Sequence, residues 1–516
     1  MNVVAILEET VRRFPDKTAM IYAPTDEHIS FCELDARASR FAHGLVSLGV
    51  SKGDRVGIYA TNRPEWWTAY LGILKAGATV VPMNFLLKSK EIQHIAAHSQ
   101  LSTLVTESHL RPEIDVVLTT LSDLRTIVYL DEPAGPAGDA VVAPARFAGC
   151  PAAFPAVDCD GDDTASIIYT SGTTGVPKGA MLTHANLGWS VTKIARASLE
   201  LESSDTWVQV VPLAHVSGQM WGMSVLVSGG TLVRMDKFEV KEYCRVVQHY
   251  RATASDGVVT IVLNLLAYPE ADGYVGTLKR IADGGAPMPP DAFEAFERRF
   301  KAKIVDFYGP TESTLLAVHL QMNAPRRRGS CGYAAPETSI RILDGDGNEM
   351  PTGTEGEIAL RGPQIMKGYW RNPEATQQVL RDGWFRTGDI GKVDADGYLY
   401  IVDRKKDIIL MSGWSIFPRE VEDVLVSHPQ VLEAAVVAIP DAARGEIPIA
   451  VIVPKAGERI DPQELIQFCR ARMAVYKSPR FIEFTESLPK AGGGWKILKR
   501  DLREIYARKY VGTGAA

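Results

Sequence analysis

Between Glu33 and Asn84 the apolar residues switch between two periods in a set order, and that order constrains the fold more than any other feature of the chain. The stretch "ELDARASRFAHGLVSLG" places Leu34, Ala38, Phe41, Leu45 and Leu48 on one helical face and stops at a glycine. "DRVGIYAT" then reads as a strand, "PEWWTAYLGILKAG" as a helix with Pro64 in its first turn, and "TVVPMN" as another strand. Strand, helix, strand is a βαβ unit. The same alternation continues through "ASIIYT", "ANLGWSVTKIARASLEL", "TWVQVVPL", "EAFERRF" and "AKIVDFY", which predicts an α/β protein of layered sheets and helices with parallel strands. Residues 131–163 are rich in Ala, Pro and Gly and read as surface loop. Near Asp403 the pattern changes to helix "REVEDVLVSHP", strands "EAAVVAI" and "IAVIVP", and helix "DPQELIQFCRARM", a second, smaller domain.

With 516 residues the chain is long enough for two or more cores. A net charge of −6 gives no electrostatic footprint for nucleic acid or an anionic membrane, so a small-molecule partner fits better. The N-terminus brings in Glu8 and Glu9 before any sustained apolar run, unlike a secretory signal, and no stretch reaches the length of an integral membrane span. Cys32, Cys150, Cys159, Cys244, Cys331 and Cys469 form no CxxC pairs and read as thiols of a reducing compartment, with the cytoplasm as the expected location.

The chemistry begins after the apolar strand that ends at Tyr169. "YTSGTTGVPKGAMLTH" combines three glycines before Ala180, five hydroxyl side chains and Lys178. Backbone N–H groups freed by glycine, hydroxyls and an ammonium suit a polyphosphate. The spacing is not that of a Walker P-loop.

This loop resembles the signature loop of the adenylate-forming superfamily, which includes acyl-CoA synthetases, peptide-synthetase adenylation domains and luciferases. Further resemblances follow in family order: "PLAHVSGQ" from Pro212, "GGAPMP" from Gly284, "YGPTES" from Tyr308, "GWFRTGD" ending at Asp389, "VDRKKD" from Val402 and "LPKAGGGWKILKR" from Leu488. The resemblance implies a large N-terminal domain of several subdomains over residues 1–402, a hinge at 403–406 and a small mobile α+β domain over 407–516. It also implies activation of a small-molecule carboxylic acid by ATP and Mg2+ as an acyl-adenylate, followed by transfer to the thiol of coenzyme A. Transfer to a carrier-protein thiol, or loss of catalysis in an adenylate-binding protein, are the alternatives. Either a monomer or a homodimer is compatible with it.

Position by position, the resemblance assigns Thr170, Ser171, Gly172, Thr173, Thr174, Gly175 and Lys178 to the phosphates. Gly284, Gly285, Ala286, Asp306, Tyr308 and Gly309 fall to the nucleotide, with Tyr308 stacking near the adenine. Thr311 goes to the α phosphate, Thr170 and Glu312 to the metal, and Asp389 with Arg404 to the ribose. Lys406 falls at the hinge, and Gly413 with Trp414 border the coenzyme A channel. The run Ser412 to Pro418 resembles the fatty-acyl branch. His215 stands at the entrance of an acyl pocket that Val216, Met220, Trp221, Met223, Val258 and Val259 would line. No aspartate begins "PLAHV", which disfavours amino acids. Asp256 and Asp283 depart from the usual pattern; each could meet a polar substrate group, but a solvated or hydrogen-bonded aspartate is the commoner outcome. Arg326, Arg327 and Arg328 read more readily as a wet loop than as a coenzyme A contact. In the last motif the catalytic lysine is Lys496, delayed by one residue behind Trp495, an insertion that Gly492, Gly493 and Gly494 can absorb.

Overall fold

The computed structural model describes residues 2–132, 141–142, 145–170, 177–286, 288–412, 414–441, 444–491 and 496–510. The chain forms two compact units, residues 1–339 with 360–385 and residues 340–359 with 386–516. The expected hinge at 403–406 therefore lies inside the second unit, because strand Leu399–Arg404 pairs with strand Trp384–Val393.

Two large sheets organise the first unit. Strands Arg55–Ala60 and Thr79–Asn84 pair in parallel around helix Pro64–Lys75, as the period switch predicts. They sit within an eight-stranded sheet, counted among the described residues, that also carries Thr164–Thr170 and Lys178–Thr183. Those last two strands are antiparallel, a departure from the parallel expectation, because too few residues separate them in sequence for the crossover that a parallel pair needs. The second sheet has nine strands among the described residues and contains, side by side, Thr206–Gln209, Ala254–Asp256, Arg280–Gly284 and Lys303–Tyr308, all parallel. The expected surface loop at 131–163 is only partly a loop. Val141–Val142 adds a parallel strand beside Thr126–Tyr129, and Phe147 is buried edge-on against Phe41, with ring centroids 5.4 Å apart. One aromatic anchors an otherwise featureless stretch, and Gly44 leaves room for it because a Cβ there would clash with the Phe147 ring.

The second unit packs helices Pro418–Val426, Pro462–Arg470 and Lys499–Tyr510 with a sheet centred on Val431–Asp441 and Gly445–Pro454. Its core takes consecutive residues of those strands, Ala434–Ile439 and Ile449–Val453, because both faces are covered, together with Leu425, Leu465 and Leu502. All six cysteines are free thiols, and among the described residues no helix is long and apolar enough to cross a membrane.

One buried polar knot fixes the C-terminal edge of the nine-stranded sheet. Asp256 accepts from the N–H groups of Val210 at 2.9 Å and Val211 at 3.3 Å. Arg234, also fully buried, donates to the carbonyl oxygens of the same two residues at 3.4 and 2.9 Å. The acid and the base thus grip one peptide segment from opposite sides, and Asn62 takes the next free N–H, that of Leu213, at 3.0 Å. Burial still pushes the Asp256 carboxyl up to about 7, with Arg234 and the two N–H groups opposing that rise. Asp256 therefore ends as a hydrogen-bonded aspartate of the core. Asp256→Ala should lower stability by about 2–5 kcal/mol, since it leaves two buried N–H groups unpaired and removes one of the two carboxylates whose charge supports the buried Arg234. Chemical denaturation measures this, and an unchanged midpoint would show that the knot adds nothing to stability.

Candidate active site

The predicted phosphate loop leaves from Thr170 and returns at Lys178, which are paired across strands Thr164–Thr170 and Lys178–Thr183. Ser171, Gly172, Thr173, Thr174 and Gly175 lie outside the described residues. Two histidines that sequence reasoning missed brace the feet of the loop. His98 Nδ1 lies 2.7 Å from the Tyr169 hydroxyl, and His94 Nε2 lies 3.1 Å from the Pro177 carbonyl oxygen. Their rings stack at 5.6 Å, and burial lowers the His98 pKa, with His94 and Arg371 adding to the effect.

The "YGPTES" turn follows strand Lys303–Tyr308. Gly309 is required at its start because a Cβ would run into the Leu315 carbonyl oxygen. After a single 3-10 turn at Thr311–Ser313, Thr314 and Leu315 take left-handed φ values of 50° and 73°, a strained path for non-glycine residues. Neighbouring segments hold it there. Thr314 Oγ1 donates to Gln364 O at 2.8 Å, and the Met366 N–H donates to Glu312 O at 2.8 Å. Asn186 Nδ2 secures the same segment through Pro363 O at 2.7 Å and Ile365 O at 3.0 Å.

This turn delivers Glu312, which is buried, to the foot of the predicted phosphate loop, where its Oε1 accepts from Thr170 Oγ1 at 3.4 Å. The predicted pair is brought together. The structure adds Tyr369, whose hydroxyl donates to the same Oε1 at 2.8 Å and whose ring lies 5.4 Å beneath the Lys178 ammonium. Burial, reinforced by the Glu312 charge, pushes the Tyr369 phenol far above its ordinary range, so it remains a donor. Nothing in "MKGYW" distinguishes this tyrosine from a core aromatic. Among the described residues no cluster of three or more His, Cys, Asp or Glu side chains could hold a metal alone. One carboxylate and one hydroxyl beside a phosphate loop fit the usual setting of Mg2+, which keeps waters and takes its other ligands from substrate phosphates.

On the neighbouring strand, Gly284 and Gly285 (φ 84°) lead into Ala286. Asp283, just before them, pairs in register with Asp306. It is fully buried, and among the described residues neither carboxylate oxygen meets a hydrogen-bond partner of good geometry, the Gly284 N–H giving weak support, unlike the solvated or well-bonded outcome expected for it. Burial, with Asp306 adding repulsion, pushes its pKa well above the ordinary value. Tyr308 is half-buried at the end of its strand. His215 precedes helix Val216–Val227, where Val216, Met220, Trp221 and Met223 are buried, and Trp221 meets Phe307 edge-on at 5.8 Å. Val258 is buried and the partly buried Val259 begins the next helix.

In the second unit Asp389 and Arg404 are paired in register, with Arg404 Nε 3.5 Å from Asp389 Oδ1. Burial lowers the Lys406 pKa, and its carbonyl accepts from Arg503 Nη2 at 3.2 Å. Gly413 lies outside the described residues. Trp414 is 60% exposed and packs on Tyr476 at 5.2 Å. Strands Lys490–Ala491 and Lys496–Ile497 pair, Ala491 opposite Lys496, so Lys496 is the first paired residue after the glycine loop; Trp495 and the three glycines lie outside the described residues. Arg326 and Arg328 are engaged with Glu297 at 2.7 Å, and with Asp291 at 2.6 Å and Glu294 at 2.7 Å.

Comparison with known proteins gives the same class. The family model "AMP-binding enzyme" matches residues 7–370, and "AMP-binding enzyme C-terminal domain" matches residues 420–494. A feruloyl-CoA synthase of Amycolatopsis sp is 37% identical over 96% of this chain and 97% of that protein. A long-chain-fatty-acid–CoA ligase of Bacillus subtilis is 34% identical over 97% of this chain and 94% of its own length. The crystal structure of ATP-bound MatB from Rhodopseudomonas palustris superposes with a TM-score of 0.90 at 30% identity, covering 99% of this chain and 100% of that one. The chain belongs to the AMP-binding enzyme family. It is an ATP-dependent enzyme of the AMP-forming acid–thiol ligase class.

The buried Asp283 carboxyl has a measurable signature. Its folded-state pKa lies above the unfolded value, so the folded state holds the extra proton; its contribution to stability is fullest below the unfolded pKa and is lost as pH rises. Asp283→Asn removes that titration. The thermal midpoint of the variant relative to the wild type should therefore climb as pH rises above the ordinary aspartate range. A difference that stays flat with pH would mean that Asp283 titrates alike in both states.

Proposed function

We propose that this enzyme joins an apolar carboxylic acid, a medium- or long-chain fatty acid or an aromatic one, to coenzyme A by way of an acyl-adenylate. The observation that carries the first step is the convergence of Thr170 and Lys178 at the phosphate loop with Glu312 and Tyr369. Two anions must meet there, the carboxylate and the triphosphate, so the site has to supply positive charge and alignment rather than a strong base. Lys178 and the loop residues 170–175 bind the β and γ phosphates in this reading, and Thr311 meets the α phosphate. Glu312 and Thr170 hold Mg2+, which when bound neutralises charge on the leaving pyrophosphate. Tyr308, Asp306 and residues 284–286 take the adenine side. Asp389 accepts from the ribose hydroxyls, with Arg404 steadying its carboxylate.

The acid's oxygen attacks the α phosphorus and the bond to pyrophosphate breaks. Lys496 stabilises the charge that develops on the α phosphate and the carboxylate. The thiolate sulfur of coenzyme A then attacks the acyl carbon, the acyl C–O bond breaks, and AMP leaves with that oxygen. Lys406 serves as the hinge for this second step, and Gly413 with Trp414 line the pantetheine path, where the exposed indole suits an apolar thiol arm. His215 stands at the mouth of the acid pocket.

The acid class rests on Val216, Met220, Trp221, Val258 and Val259, which carry no charge to meet a second carboxylate or an amino group. Asp256, close to these in sequence, is spent on backbone N–H groups. The names of the relatives, a feruloyl-CoA synthase and a long-chain-fatty-acid–CoA ligase, agree with an aromatic or fatty acid.

Pyrophosphate release and thioester formation across a panel of acids test this reading. Specificity constants should rise from acetate through medium-chain and cinnamic acids, by about 0.8 kcal/mol for each methylene that is fully buried. Malonate and amino acids should be poor substrates; a maximum at acetate or malonate would overturn the acid class. Lys496→Ala should slow adenylation by about a hundredfold or more while leaving thioester formation from supplied acyl-adenylate intact. Equal loss in both half-reactions would deny Lys496 its place in the first.

A further inference from the structure

Tyr369 is held more firmly than a pocket-filling aromatic needs to be. Strand Gly368–Tyr369 pairs antiparallel with Lys178–Thr183, Tyr369 opposite Ala180, so the tyrosine is tied by backbone to the strand that leaves the phosphate loop. The N–H groups on either side of the pair donate to that strand, Lys367 to Met181 O at 2.9 Å and Trp370 to Gly179 O at 2.7 Å. The Tyr369 N–H itself is taken by Thr376 Oγ1 at 2.9 Å, and Gly368, at φ 145°, sits where a Cβ would press on the Thr376 side chain.

From this anchored backbone the side chain makes two contacts with different parts of the site. Its hydroxyl donates to Glu312 Oε1 at 2.8 Å, and its ring face lies under the Lys178 ammonium at 5.4 Å. Both donors to Glu312, Tyr369 and Thr170, converge on Oε1; among the described residues Oε2 receives none. A carboxylate fixed through one oxygen presents the other in a defined direction. Without the phenol, the weaker 3.4 Å contact from Thr170 would be the remaining side-chain hold on it.

We propose that Tyr369 is a positioning residue for adenylation, holding the Glu312 carboxylate through Oε1 so that Oε2 faces the divalent cation, and carrying the Lys178 ammonium on its ring. This rests on the reading that Glu312 is the protein's carboxylate ligand for that cation. Tyr369→Phe separates the two roles, because the ring stays and only the hydroxyl is lost.

The test uses the full chain and has one readout apart from turnover. Mn2+ binding in the presence of a non-hydrolysable ATP analogue, followed by electron paramagnetic resonance, reports the cation site directly. Tyr369→Phe should weaken Mn2+ binding by about tenfold, the effect typical of losing a group that orients a metal ligand. The Mg2+ concentration for half-maximal pyrophosphate release should rise by a similar factor, while kcat at saturating Mg2+ and the KM for the carboxylic acid stay within about threefold of wild type. Tyr369→Leu, which also removes the ring, should in addition raise the KM for ATP. Glu312→Gln is the control for the underlying reading and should weaken Mn2+ more than Tyr369→Phe does. If Glu312→Gln shifts Mn2+ binding and Tyr369→Phe does not, the positioning role is wrong. If neither variant shifts it, the assignment of Glu312 to the cation fails and the role of Tyr369 falls with it. Incorporating 3-fluorotyrosine at position 369 keeps ring and hydroxyl in a fold closer to native; should Tyr369→Phe not fold, Mn2+ affinity that is insensitive to this stronger donor would overturn the proposal.

Discussion

The site hangs on one strained turn. Residues 311–315 carry Glu312 to Thr170, at the foot of the segment proposed to bind phosphate, only by passing through two consecutive left-handed residues, Thr314 and Leu315, each of which would sit elsewhere if left to itself. What keeps them there comes from far away in sequence: Gln364 O on the Thr314 hydroxyl, the Met366 N–H on Glu312 O, and Asn186 bridging to Pro363 and Ile365. The segment that restrains the turn also delivers Tyr369. Thr170, Glu312 and the restraining segment thus form one connected network inside the first unit, and the burial of Glu312 follows from it rather than from an apolar environment alone.

Two aspartates on adjacent strands of one sheet show how context decides the state of the same side chain. Asp256 and Asp283 are both fully buried, and both lie near the C-terminal ends of their strands. Asp256 meets two backbone N–H groups and has a guanidinium close by, so its carboxyl is raised only to about 7. Asp283 faces Asp306, with the Gly284 N–H opposing, and its carboxyl is pushed well above its ordinary value. A buried carboxylate so poorly supplied with donors stores free energy, and this one stores it beside the glycine turn proposed to meet the nucleotide.

Much of this was legible in the residues. The period switch from strand to helix to strand fixes the parallel pairing of Arg55–Ala60 with Thr79–Asn84, because apolar periodicity is a local property. Thr170 and Lys178 could be singled out because polar residues packed around glycines after a buried strand are unusual, whereas Glu312 came only from the resemblance that "YGPTES" carries. Tyr369 and the histidine pair could not, since an aromatic or a helical histidine looks the same whether it fills space or braces a loop. Phe147 escaped notice for a related reason, being one anchor in an Ala/Pro/Gly-rich stretch. The division into units also depends on a long-range pairing, that of Leu399–Arg404 with Trp384–Val393, which no local pattern announces.

The central claim is that the acid is activated at the α phosphorus and leaves its oxygen behind with AMP when the thiol attacks. Following the acid's own oxygen tests this most directly. With a carboxylate carrying 18O in both positions, ATP and coenzyme A, mass spectrometry of the products should find one 18O in AMP and none in pyrophosphate, with the thioester retaining the other. Label found instead in inorganic phosphate, with ADP as the nucleotide product, would show attack at the terminal phosphorus and contradict the roles proposed for Glu312, Thr311 and Lys496.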